Sequence, residues 1–211
     1  MSAPDPRARV VVLAGPSGAG KSRLAERLHT THGWPIVRLD DFYRDLDDAA
    51  DPPMPRHVGL GIIDWDHPDS WHASAAVAAL VELVDTGSTS TPVYDISHSR
   101  AVGTTTVRAR PRDLVLAEGI FAAEVVAQLR EAGVLHSAWC IHHRPLVTFV
   151  RRLARDLKER RKSPMVLVRR GLALMRAEPE VIRRQEALGA RSARAKDVEA
   201  RLALAVGPRR D

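Results

Sequence analysis

The chain has 211 residues, enough to bury one sizeable core and short for two, and its 45% hydrophobic and 27% charged residues are the balance of a globular domain. No apolar run approaches the roughly 18 residues of a spanning helix, and the opening MSAPDPRAR lacks the apolar stretch of a signal peptide, so a membrane span is excluded and a cytoplasmic location is expected. The formal charge of +6 is uneven, acidic over 40–69 and arginine-rich over 144–210; a phosphoryl-transfer enzyme gathers such cations around its triphosphate, so nucleic acid is not the expected partner.

RVVVLA, Arg9 to Ala14, is a β-branched run that reads as a buried strand. It leads into Gly15, Pro16, Ser17, Gly18, Ala19, Gly20, Lys21 and Ser22, which satisfy the pattern G-x-x-x-x-G-K-[ST] at each fixed position. In such a loop the glycines let the backbone turn tightly with N–H groups inward, the lysine reaches the outer phosphates and the hydroxyl serves Mg²⁺. Leu24 and Leu28 at helical spacing predict a helix over Ser22–His32, so strand, loop and helix follow in the order a triphosphate site requires. A glycine-rich turn matching by accident is the competing reading.

Pro35–Leu39 reads as a second buried strand, ending on Asp40-Asp41-Phe42-Tyr43. Ligands of open α/β sheets collect beyond the carboxyl ends of the strands, which places both aspartates near the phosphate loop; alternatively, one of them caps a short helix beginning at Phe42. Asp47–Ile63 is loop-like in composition. Trp65-Asp66-His67-Pro68-Asp69 precedes a helix from about Trp71 to Val84, with Asp69 or Ser70 as its expected cap. After a turn at Asp85–Ser90, Thr91–Ile96 and Thr104–Arg108 are extended pieces expected to form an antiparallel hairpin added to a parallel sheet. Leu114–Ala117 is a further buried strand ending on Glu118, a carboxylate placed to hold Mg²⁺ or, alternatively, a strand-end acid facing water. Phe121–Glu131 reads as helix and Leu135–Ile141 as strand; the lone Cys140 within it reads as a reduced core residue rather than a nucleophile. Pro145 opens an arginine-rich helix that Pro164 breaks, and Met165–Arg176 and Pro179–Leu204 read as helices.

GPSGAGKS at Gly15, LDDFY at Leu39, WDHPDSW at Trp65, PVYDISHSR at Pro92, VLAEGIF at Val115 and RRLARDLKER at Arg151 together resemble the uridine-cytidine kinases, within the wider phosphoribulokinase and uridine kinase group of P-loop kinases. The phosphate loop is shared by many families, whereas the Asp-His-Pro-Asp and Tyr-Asp…His-Ser-Arg pieces are far more specific. The resemblance implies an α/β P-loop NTPase fold, a three-layer α/β/α domain over 1–211 with a mainly parallel sheet, a hairpin substrate lobe at about 91–110, a helical arginine-rich lid at about 145–163 and a helical segment at 164–206. It implies ATP or GTP with Mg²⁺ as donor and the 5′-hydroxyl of a pyrimidine ribonucleoside as acceptor. It assigns Asp40 as base, Ser22 and Glu118 to the metal, Asp66 to the ribose hydroxyls, and Tyr43, Tyr94 and His98 to the acceptor. Arg152, Arg155 and Arg160 would face the phosphates from the lid, and a homo-oligomer is implied.

Without the resemblance, His98 reads as an exposed hairpin histidine. The chain also departs from the family pattern: two residues rather than three separate Tyr94-Asp95 from His98, the lid loses a glycine after Arg160, and no closing apolar strand is evident. A kinase of another small alcohol, such as pantothenate, a sugar phosphate or nicotinamide riboside, and a nucleotide-binding switch with basic recruitment helices are the alternatives.

Overall fold

The computed structural model describes residues 7–46, 53–57, 62–142 and 178–205. The expected lid, with Arg152, Arg155 and Arg160, and the helix expected at 165–176 lie outside these residues. The elements in chain order are β1 (Arg9–Ala14), α1 (Lys21–His32), β2 (Ile36–Arg38), α2 (Ala73–Thr86), β3 (Ser88–Asp95), β4 (Arg100–Arg108), β5 (Leu114–Glu118), α3 (Val126–Glu131), β6 (Leu135–Ile141), α4 (178–187), β7 (Arg191–Ala193) and α5 (Ala195–Ala205).

Five strands form one parallel sheet in the order β2-β5-β1-β6-β7. β1 is central and buried on both faces, which is why its sequence is a continuous apolar run rather than an alternation. Val10, Val12 and Ala14 face a core shared with Leu80 and Leu83 of α2 and Val126 and Leu129 of α3. Val11 and Leu13 face the opposite core, with Leu24 and Leu28 of α1, Trp34, and Val198 and Leu202 of α5. The result is the expected three-layer α/β/α arrangement. Cys140 lies fully buried in the first core, as its apolar setting predicts.

Four sequence expectations are corrected. The helix beginning near residue 71 runs over Ala73–Thr86 with His72 at its N-cap and no side-chain cap, because Asp69 and Ser70 are used in a preceding 3₁₀ turn, Pro68–Ser70. Its end is set by Gly87, left-handed at φ 79°, whose N–H returns to Leu83 C=O. β3 therefore starts at Ser88, and β3–β4 is a separate two-stranded sheet rather than an extension of the parallel one. It packs on α2 through buried Thr89 and Thr91, with the Thr89 hydroxyl donating to Glu82. Phe121–Glu131 opens as a 3₁₀ turn, Ala122–Val125, before α3. Finally, the long helix expected over Pro179–Leu204 is interrupted: Gly189 at φ 96° ends the turn after α4, and β7 closes the sheet by pairing with β6. This edge strand is only Arg-Ser-Ala and mostly exposed, so it carries no apolar signature.

Candidate active site

The carboxyl ends of β1, β5 and β2, three neighbours in the sheet, deliver the three chemical pieces of the site. β1 passes into the Gly15–Ser22 loop. Gly15 has φ 138°, and a Cβ there would lie 2.2 Å from the Ile141 carbonyl at the end of β6, so only glycine lets the loop cross that strand. Lys21 is 6% exposed, and its Nζ donates to the carbonyls of Gly15 at 2.9 Å and Pro16 at 3.3 Å, so the loop carries its cation folded across its own backbone. Gly20, left-handed at φ 90°, hands the chain to α1, whose first turn exposes N–H groups and the Ser22 hydroxyl.

β5 ends on Glu118, which is 4% exposed and accepts a hydrogen bond from Ser22 Oγ at 3.0 Å. The water-facing reading of Glu118 is thereby corrected, since the carboxylate points into the loop. Burial pushes its carboxyl above the usual range; nearby Lys21 opposes that and Asp40 adds to it. A hydroxyl and a buried carboxylate in contact form an oxygen donor set suited to Mg²⁺, which takes one or two protein ligands and completes its shell with phosphate oxygens and water. Among the described residues no group of three or more His, Cys, Asp or Glu is placed to hold a metal by itself.

β2 ends on a 3₁₀ turn, Leu39–Phe42, with Arg38 at its N-cap, so neither aspartate caps a helix beginning at Phe42. Asp40 and Asp41 face different partners. Asp40 Oδ1 accepts the Ile120 N–H at 2.9 Å, across the register in which Arg38 pairs with Glu118. The approach is close enough that a Cβ on Gly119 would lie 2.8 Å from Asp40 Oδ1. Asp41 accepts the Tyr94 N–H instead, and burial raises its carboxyl. It lines a groove of about 790 Å³ with Asp45, His72, Glu82 and Pro92, between α2 and the hairpin.

Beyond Asp40 stands an aromatic cluster that includes both tyrosines of the chain. The Tyr43 ring lies 5.7 Å from Trp65 and from Tyr94 and 6.0 Å from Phe121, and Phe121 stacks on Trp71 at 5.7 Å. The Tyr43 hydroxyl donates to Trp65 C=O at 3.2 Å and that of Tyr94 to Arg44 C=O at 3.0 Å. Burial pushes the Tyr94 phenol up to about 12 and raises that of Tyr43, beside which lie the charges of Asp40 and Asp66. Asp66 is exposed, on a turn where its N–H donates to Asp64 Oδ1 at 3.1 Å.

Tyr43 thus links this group, in ring contact with Tyr94 and beside the charges of Asp40 and Asp66. His98 is not part of it by any contact: its side chain is 64% exposed in the hairpin turn, with Nδ1 2.7 Å from Asp95 Oδ2. The Ser97 hydroxyl, then His98, hold the Asp95 carboxyl well below its usual range. Sequence reasoning missed Trp65, Trp71 and Phe121 as members of this aromatic cluster and the Ile120 N–H as the partner of Asp40. Aromatics are only 4% of the chain, and their concentration in LDDFY, WDHPDSW and VLAEGIF is the signal that pointed there.

The sequence model of the Phosphoribulokinase / Uridine kinase family matches residues 10–187. Among curated proteins, one named uridine kinase from Deinococcus deserti is 30% identical over 171 residues, 79% of this chain and 77% of that protein. Another of the same name from Lactobacillus johnsonii is 26% identical over 172 residues, 79% of this chain and 76% of that protein. Among solved structures, a proposed fructose transport system kinase from Silicibacter sp. TM1040 superposes with a TM-score of 0.64 at 18% identity, covering 92% of this chain and 91% of that one, a likeness of fold.

Proposed function

The chain belongs to the Phosphoribulokinase / Uridine kinase family of P-loop kinases, and from that premise we propose that it moves the γ-phosphate of ATP or GTP to the 5′-hydroxyl of a pyrimidine ribonucleoside. The observation that carries this reading is the setting of Asp40. One carboxylate oxygen accepts the Ile120 N–H, which among the described residues leaves the other for a hydroxyl proton, and the Asp40 charge acts on both Glu118 beside the phosphate loop and Tyr43. As base, Asp40 accepts the proton of the attacking hydroxyl while the O–P bond to the acceptor forms and the bond to the departing nucleoside diphosphate breaks. The loop N–H groups and Lys21 cradle the phosphates. Mg²⁺, with Ser22 and Glu118 as protein ligands, would neutralise charge on the transferring phosphoryl group. The rings of Tyr43 and Tyr94 give the acceptor a stacking surface and Asp66 accepts from its sugar hydroxyls; Arg152, Arg155 and Arg160 are assigned to the phosphates by resemblance alone.

A second reading, a kinase of another small alcohol, is favoured by one observation: the His98 imidazole is mostly exposed and engaged by Asp95 of its own turn. ADP release with uridine, cytidine, pantothenate, nicotinamide riboside and sugar phosphates separates the two. Turnover with the pyrimidine nucleosides is expected, and turnover confined to a different alcohol refutes the nucleoside assignment. ATP hydrolysis undiminished without any acceptor would instead mark a nucleotide switch. Within the site, Asp40→Asn should lower kcat by about 10²-fold or more at unchanged nucleotide affinity. Asp41→Asn retains an acceptor for the Tyr94 N–H and should cost far less; the reverse ranking refutes the assignment of the base.

A further inference from the structure

Asp40 is oriented by a turn that has long backbone bonds at Gly119, although the Glu124 N–H reaches the Phe121 C=O at 2.9 Å. The Gly119 N–H to Leu13 C=O and Ala122 N–H to Gly119 C=O distances are both 3.4 Å, long for such bonds. Another element supplies what the turn lacks. Gln185 in α4 is 6% exposed, and its Nε2 donates to the Ile120 C=O at 3.2 Å. Ile120 is therefore gripped at both ends, its carbonyl by Gln185 and its N–H by Asp40 Oδ1. The neighbouring Arg184 Nη2 donates to Glu124 Oε1 at 2.7 Å, fastening α4 beside the same turn.

The choice of glutamine is costly here. Gln185 Oε1 is buried without a hydrogen-bond partner among the described residues, a state that a methionine of similar length would avoid. Burial alone therefore does not account for an amide at this position, whereas the bond to Ile120 does. We propose that Gln185 is a positioning residue for phosphoryl transfer: by holding the Ile120 carbonyl it keeps the Gly119–Phe121 turn in place, so that the Ile120 N–H orients Asp40 toward the acceptor hydroxyl. The inference rests on Asp40 being the base.

The test compares Gln185→Met and Gln185→Glu in the parent and in an Asp40→Asn background, reading kcat, acceptor KM, nucleotide affinity and thermal unfolding. Gln185→Met should lower kcat about tenfold with nucleotide affinity and melting temperature nearly unchanged, since a small misplacement of a reacting group is paid in rate. In the Asp40→Asn background the same change should cost nothing further, because it acts through the missing carboxylate. In Gln185→Glu only the protonated acid can donate to Ile120, so its deficit relative to parent should shrink as pH falls from 8 to 6. Parental kcat in folded Gln185→Met, or an equal loss in both backgrounds, overturns the proposal while leaving Asp40 as base. If Asp40→Asn itself turns over at the parental rate, the base assignment fails and the inference falls with it. Should Gln185→Met not fold, a pH-independent deficit in Gln185→Glu overturns the proposal.

Discussion

Gly119→Ala tests the active-site geometry with the addition of a single methyl group. Gly119 is not in the left-handed region, so alanine brings no backbone strain, and its effect is steric. The new Cβ would stand 2.8 Å from Asp40 Oδ1, 3.0 Å from Leu39 Cβ and 3.3 Å from the Asp40 backbone nitrogen. The first distance is roughly 0.6 Å inside ordinary contact. Leu39 is core and gives little, so relief comes from the Asp40 carboxylate swinging off the Ile120 N–H. A reacting group displaced by about 1 Å loses about 10²-fold in rate, so kcat should fall between about 10- and 100-fold. Overpacking against Leu39 should cost about 1–3 kcal/mol of stability. The assay is coupled ADP release with saturating acceptor, alongside nucleotide binding and thermal unfolding. Gly103→Ala is the control, since a Cβ there meets nothing within 4 Å. Parental kcat in a folded Gly119→Ala protein would refute the assignment of Asp40 to the reacting centre.

Glu118→Gln should raise the Mg²⁺ concentration for half-maximal rate about tenfold or more at little cost in stability, because it deletes a charge that burial disfavours; an unchanged Mg²⁺ dependence excludes Glu118 from the metal site. The raised carboxyl binds its proton more tightly folded than unfolded, so this group's contribution to stability grows as pH falls while its affinity for Mg²⁺ declines. Titrating Mg²⁺ at successively lower pH should show half-saturation rising before pH 4.5 is reached in the parent and far less in Glu118→Gln. Lys21→Ala should lower kcat by at least about 10²-fold and stability by about 1 kcal/mol, since two loop carbonyls lose their donor; retained turnover removes the phosphate-loop assignment. Cys140, its thiol pushed up to about 12 chiefly by burial, should resist a thiol reagent at pH 8 when folded and react once denatured, and fast labelling of the native protein would contradict its place in the core.

Local patterns carried most of the fold. β1 and β6 fall on the bounds that their apolar runs predict, and the phosphate loop sits between strand and helix as its spacing requires. These signals are short in range and need no partner to be read. What stayed hidden depends on distant chain segments meeting: Asp40 with Ile120 is a contact 80 residues apart, and Gln185 with Ile120 spans 65. β7 was illegible because an edge strand of three mostly exposed residues needs no apolar side chains. Asp40 and Asp41 are not separated by strand alternation, because both lie in a 3₁₀ turn; they diverge because β5 and the hairpin approach that turn from different sides. His98, with two intervening residues in place of three, lies exposed in the hairpin turn against Asp95, a contact three residues apart that the motif does not spell out.

The hairpin shares no ladder with the parallel sheet; besides packing on α2 it is tied to segment 41–46 by the Tyr94 N–H on Asp41, the Tyr94 hydroxyl on Arg44, the Ala101 N–H on Asp45 and the Leu46 N–H on Ser99. A residue lost from its turn is absorbed where it occurs, with no change of register passed to β2 or β5. On the proposed role of the hairpin as acceptor lobe, heritable change in acceptor choice can accumulate there while selection keeps the transfer apparatus intact, and a hairpin transplanted from a relative should carry acceptor preference with it as a cassette.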